Sequence, residues 1–65
     1  MTTKEFGNAV RDAADEKGIK YVSIAKRLGM SRQMFYDRLL GNGWKLDEAL
    51  SVIKMLDMPS DIFMQ

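Results

Sequence analysis

The chain contains no cysteine and no histidine. Without thiols, neither a disulfide framework nor a thiolate metal site holds it together. Without imidazoles, the Ser-His-Asp and Cys-His nucleophile systems, the H-x-x-x-H zinc helices and the usual neutral-pH general base are all excluded. An enzyme is therefore not expected, and neither is a cofactor or a metal. Proline occurs once and glycine five times in 65 residues, with 46% apolar and 29% charged residues, so the composition is that of a folding chain and not of a disordered tail. Apolar runs extend only a few residues, and the N-terminus opens on the polar Met1-Thr2-Thr3-Lys4-Glu5. Neither a spanning helix nor a secretory signal is read there, and the expectation is a cytoplasmic protein with no membrane partner. The length allows a single domain over residues 1–65, without room for a buried cleft holding a small-molecule substrate.

A net charge of +1 conceals a strong asymmetry along the chain. Between residues 17 and 45, seven cations (Lys17, Lys20, Lys26, Arg27, Arg32, Arg38, Lys45) stand against one anion, Asp37, for a local charge of +6. The flanks hold three cations against eight anions, or −5. A basic centre between acidic ends points to one surface that faces a polyanion.

The periodicity is helical throughout, and the fold class expected is all-α, a small bundle of four to five helices. Thr2-Thr3-Lys4-Glu5 fits a capping box, after which Phe6, Ala9, Val10, Ala13 and Ala14 recur at helical spacing for about fifteen residues until Gly18. The acidic Asp12, Asp15 and Glu16 form a solvated face, since an all-carboxylate cluster on one exposed helix lacks the cage a cation needs. A second helix over residues 21–28 turns Ile24, Ala25 and Leu28 inward, and Gly29 stops it. Ser31 caps a third helix reaching about Leu40, with Gly41 as its terminator. After the loop Asn42-Gly43-Trp44-Lys45, a fourth helix runs from Leu46 to about Asp57, with Leu46, Ala49, Leu50, Ile53 and Leu56 read as its buried face. Trp44 is read as a loop anchor on the core. Pro59 ends the pattern, and Ser60 is placed to cap a short final turn.

The informative stretch is Ile24-Ala25-Lys26-Arg27-Leu28-Gly29-Met30-Ser31-Arg32-Gln33-Met34-Phe35. Two helices meeting at a steep angle need a small residue where their backbones approach, a turn residue that takes positive φ, and large apolar residues closing the wedge. Ala25, Gly29 and the set Ile24, Leu28, Met30 and Phe35 supply these in order. The stretch resembles the helix-turn-helix of the phage Cro/repressor (Xre-type) DNA-binding family, and the likeness extends over residues 19–56, with the helix-turn-helix itself over about 21–40. Many family members bury an arginine of the first helix against a glutamate near the end of the third. The corresponding positions here are Ala14 and Leu39, consistent with an apolar contact in place of an ion pair. The same register puts Arg38 where the family more often has an aliphatic residue.

The resemblance implies a lambda-repressor-like domain that acts as a sequence-specific transcriptional regulator on double-stranded DNA, most simply a repressor occupying a palindromic operator, with its third helix (about 31–40) in the major groove. On that basis Ser31, Arg32, Gln33, Tyr36 and Asp37 are the base-reading residues. Arginine pairs with guanine, glutamine with adenine and aspartate with cytosine, and Met34 is placed to touch a thymine methyl. Asp37 has the alternative of pairing with a cation. Lys20, Tyr21, Asn42 and Lys45 are the phosphate contacts, which position without specifying. Val52, Met55, Met58, Ile62 and Phe63 either complete the core or form the surface of a homodimer on DNA, and the dimer is the reading adopted. The rival reading is a protein-binding module, an antitoxin or phage inhibitor protein, on the same scaffold.

Overall fold

The computed structural model describes residues 1–59, 61 and 62 and contains four helices, with no strand among them. The first helix, α1, spans Thr3–Lys17. Thr2 is its cap, accepting the Glu5 N–H at 3.1 Å, while the Glu5 carboxylate accepts the Thr2 N–H at 2.9 Å. At the other end Gly18 adopts φ 68°, which lets the Ile19 N–H reach back to the Ala14 carbonyl at 2.9 Å. The second helix, α2, spans Tyr21–Leu28, and Gly29 closes it in the same way with φ 72° and a Met30 N–H to Ala25 carbonyl bond of 2.9 Å.

The third helix, α3, spans Arg32–Leu39, and the Ser31 hydroxyl accepts the Met34 N–H at 3.1 Å. The fourth, α4, spans Leu46–Met55 and ends in a turn where Asp57 carries φ 52°. Ile62 donates its N–H to the Pro59 carbonyl at 3.2 Å, so the chain does turn after the proline. Ser60, expected to cap that turn, lies outside the described residues.

α3 packs against both α1 and α2, and α4 packs against α2. Phe6, Val10, Ile24, Phe35, Val52 and Leu56 are almost completely enclosed and form the centre of the core. Ala14 and Leu39 are both buried. Close approach of α1 to the end of α3 depends on Gly7, whose missing side chain leaves room for the Leu39 and Arg38 carbonyls.

Two expectations about the C-terminal third are corrected. Leu46 and Leu50 are 72% and 54% exposed, and the buried face of α4 is Ala49, Val52, Ile53 and Leu56. Val52 and Ile62 belong to the core, and Met55 and Met58 are half-buried against it, so these four are not a free dimer surface. A chain this short has a large surface for its volume and needs those side chains to close its one core. Phe63, the fifth residue of that expected surface, lies outside the described residues.

Candidate nucleic-acid interface

α3 is anchored from behind by Phe35 and Leu39, which are buried, and this fixes which side chains it turns outward. Arg32, Gln33 and Tyr36 are exposed, and their side chains form no hydrogen bond or ion pair among the described residues. Ser31 is exposed too, with its oxygen already engaged in capping. Asp37 is half-buried, and Met34 is 42% exposed. Leu40 is 66% exposed and stands seven residues after Gln33, on the outward stripe that also includes Tyr36 and Asp37. Leu40, expected from the sequence only as the end of the helix, is thus part of that outward stripe.

The start of α2 faces the start of α3 across an open groove of about 410 Å³ lined by Asp15, Lys20, Tyr21, Arg32 and Tyr36, among others. Lys20 precedes α2 without supplying a side-chain acceptor, so the Tyr21 and Val22 N–H groups have no acceptor among the described residues, while the Ser23 N–H is taken by the Lys20 carbonyl at 3.1 Å. Tyr21 is held on three sides. Its hydroxyl donates to Asp15 Oδ1 at 2.9 Å, its ring tilts against Phe35 at 5.9 Å, and Tyr36 meets it edge-on at 6.3 Å. Burial, then the bond to the Asp15 carboxylate, pushes the Tyr21 phenol above its ordinary range. The hydroxyl expected at a phosphate is thus already committed to a carboxylate, although the ring supports Tyr36.

The loop after α3 is fixed by one ion pair. Arg38 Nε donates to Glu48 Oε1 at 2.9 Å, its Nη2 lies 3.4 Å from Oε2, and the side chains are only 12% and 16% exposed. Glu48 also accepts the Lys45 N–H at 3.1 Å and so caps α4 while holding the end of α3. The hydrogen bond from Arg38 holds the Glu48 carboxyl below its ordinary value against the opposing effect of burial, and the same bond raises the Arg38 guanidinium. Gly43, at φ 80°, leaves space for the guanidinium, since a Cβ there would lie 2.7 Å from Arg38 Nη1. The loop residues Asn42 and Lys45 are exposed beside this lock.

Trp44 is half-buried, with its ring edge-on to Phe6 at 4.8 Å, as befits a loop anchor. Its indole N–H is buried and meets no acceptor among the described residues. Among the described residues, Arg38 alone of the seven central cations is neutralised by an ion pair, while Lys17, Lys20, Lys26, Arg27, Arg32 and Lys45 are exposed. No group of three potential metal ligands occurs among the described residues, and no helix there is long and apolar enough to cross a membrane. Comparison of the chain with protein-family models, with curated proteins and with solved structures finds no match.

Proposed function

We propose that the chain binds double-stranded DNA sequence-specifically as a small transcriptional regulator, with α3 read into the major groove and operator occupancy as its mode of action. One observation carries this reading: the start of α3 holds the Arg32 and Gln33 side chains exposed and without partners among the described residues, on a helix whose opposite face is locked by Phe35 and Leu39. A guanidinium and an amide held in this way suit bidentate pairing with guanine and adenine edges. Around them, Lys20, the uncapped start of α2 and Lys45 suit phosphates on either side of the groove. Arg38 is spent on Glu48 and is assigned no DNA contact.

Selection of bound duplexes from a random library, followed by salt titration of the recovered site, tests the proposal. The expected result is a defined sequence whose affinity falls steeply with salt, and Arg32→Ala should cost about 1–3 kcal/mol and relax preference at one base position. A chain that binds no duplex even at low salt refutes the reading and favours the protein-binding alternative. Unchanged site preference in Arg32→Ala refutes the assignment of α3.

A further inference from the structure

α4 carries apolar side chains that the fold leaves uncovered. Leu46 and Leu50 stand one helical turn apart on the same side, exposed as described above. Asp47, Ser51 and Lys54 are also exposed, and with Leu50 they fall at spacings of three, four and seven, which makes a single outward stripe. Neither the Asp47 nor the Lys54 side chain has an ion pair or hydrogen bond among the described residues. The stripe therefore has an anion at its N-terminal end, a cation at its C-terminal end about 10.5 Å away along the axis, and an apolar and a small residue between them.

Such a stripe is complementary to itself in one orientation. In a parallel pair, each charge would face its own kind. In an antiparallel pair with a two-fold axis between Leu50 and Ser51, each Asp47 faces the partner's Lys54, while Leu50 and Ser51 each meet their own counterparts on either side of the axis. We propose that α4 pairs antiparallel with α4 of a second copy of this chain. Both charge pairs form together because the symmetry that makes one makes the other. The small Ser51 lets the helices approach closely, and Leu50 loses its contact with water. This inference does not depend on the DNA reading, since self-association is measured without DNA and a monomer can still occupy a half-site. It replaces the dimer surface expected from the sequence with one on the opposite side of the same helix.

The contact is small, so the dimer is weak, with a dissociation constant on the order of 100 µM. Sedimentation equilibrium of the full chain, up to about ten times that concentration, reads it directly. Asp47→Lys and Lys54→Asp each set like charges against each other at both ends, and each alone should weaken the dimer by at least about tenfold. An equimolar mixture of the two restores opposite charges at both ends of a mixed pair and should return association to near the parent level. Leu50→Ser, which leaves the charges and both helix ends untouched, should also weaken association, with unchanged far-ultraviolet circular dichroism showing that the fold persists. The proposal is overturned if the parent chain stays monomeric over the whole range, if the three variants associate as well as the parent, or if the folded mixture is no stronger than its components.

Discussion

Replacing Gly7 by alanine sets two physical effects of opposite sign against each other. Gly7 lies inside α1, where alanine is favoured over glycine by about 1 kcal/mol through backbone entropy. Packing opposes the change, because a Cβ at Gly7 would lie 2.3 Å from the Leu39 carbonyl oxygen, 2.8 Å from its carbon and 2.9 Å from the Arg38 carbonyl oxygen. All three are backbone atoms, so no side chain can rotate away, and α1 must move from α3 by roughly 1 Å to reach ordinary contact. Overpacking of this kind costs about 1–3 kcal/mol, and an unyielding neighbour puts the cost at or beyond the upper end. After the gain in propensity, a net loss of about 2 kcal/mol is expected. Total stability for this length is on the order of 3–10 kcal/mol, so the loss should lower Tm by about 8–16 °C. Urea unfolding and a thermal melt followed by circular dichroism measure both quantities. An unchanged or raised Tm would refute the close α1–α3 approach.

Gly29→Ala provides the contrast, since no atom lies within 4 Å of its missing Cβ and only the positive φ is penalised; a loss of about 1–2 kcal/mol is expected in the same unfolding assay. Glu48→Ala leaves the largely buried Arg38 guanidinium unpaired and α4 without its cap, and should cost about 1–3 kcal/mol by urea unfolding. Because the folded carboxyl of Glu48 titrates below the ordinary value of 4.5, its contribution is complete above that pH and disappears as the pH falls through the lowered pKa; the parent should lose more stability on acidification than Glu48→Ala does. Tyr21 has the opposite sign. Its raised phenol contributes stability in full below the ordinary value of 10, and that contribution is lost as the pH rises through the folded pKa. Ultraviolet titration of Asp15→Asn should find the Tyr21 phenol ionising at lower pH than in the parent, and an unchanged titration would count against the hydroxyl bond to Asp15.

The helix ends were readable because their signals are local. A threonine and a glutamate three residues later, glycines after Lys17 and Leu28, and a serine before Arg32 satisfy or release backbone groups within one turn, whatever the rest of the chain does. The outward Arg32, Gln33 and Tyr36 were readable for a related reason, since Phe35 and Leu39 leave α3 little choice of rotation. α4 defeated the same logic: with Leu46, Ala49, Leu50, Val52, Ile53 and Leu56 it is apolar over an arc of about 160°, so periodicity admits two buried faces. Leucine is the stronger hydrophobe at two of those positions, yet the fold buries Val52 and leaves Leu46 and Leu50 in water.

The amino-acid sequence by itself determined the four helical segments, their caps and the basic middle of the chain, because each rests on contacts within a few residues or on simple charge. Tertiary structure alone decided that Arg38 is spent on Glu48 ten residues away, that Gly7 must have no side chain, and that the leucines of α4 face outward while Val52 and Ile62 fill the core. Each of these depends on which surfaces meet in space, and a one-dimensional pattern carries no record of the distance between residues on different helices.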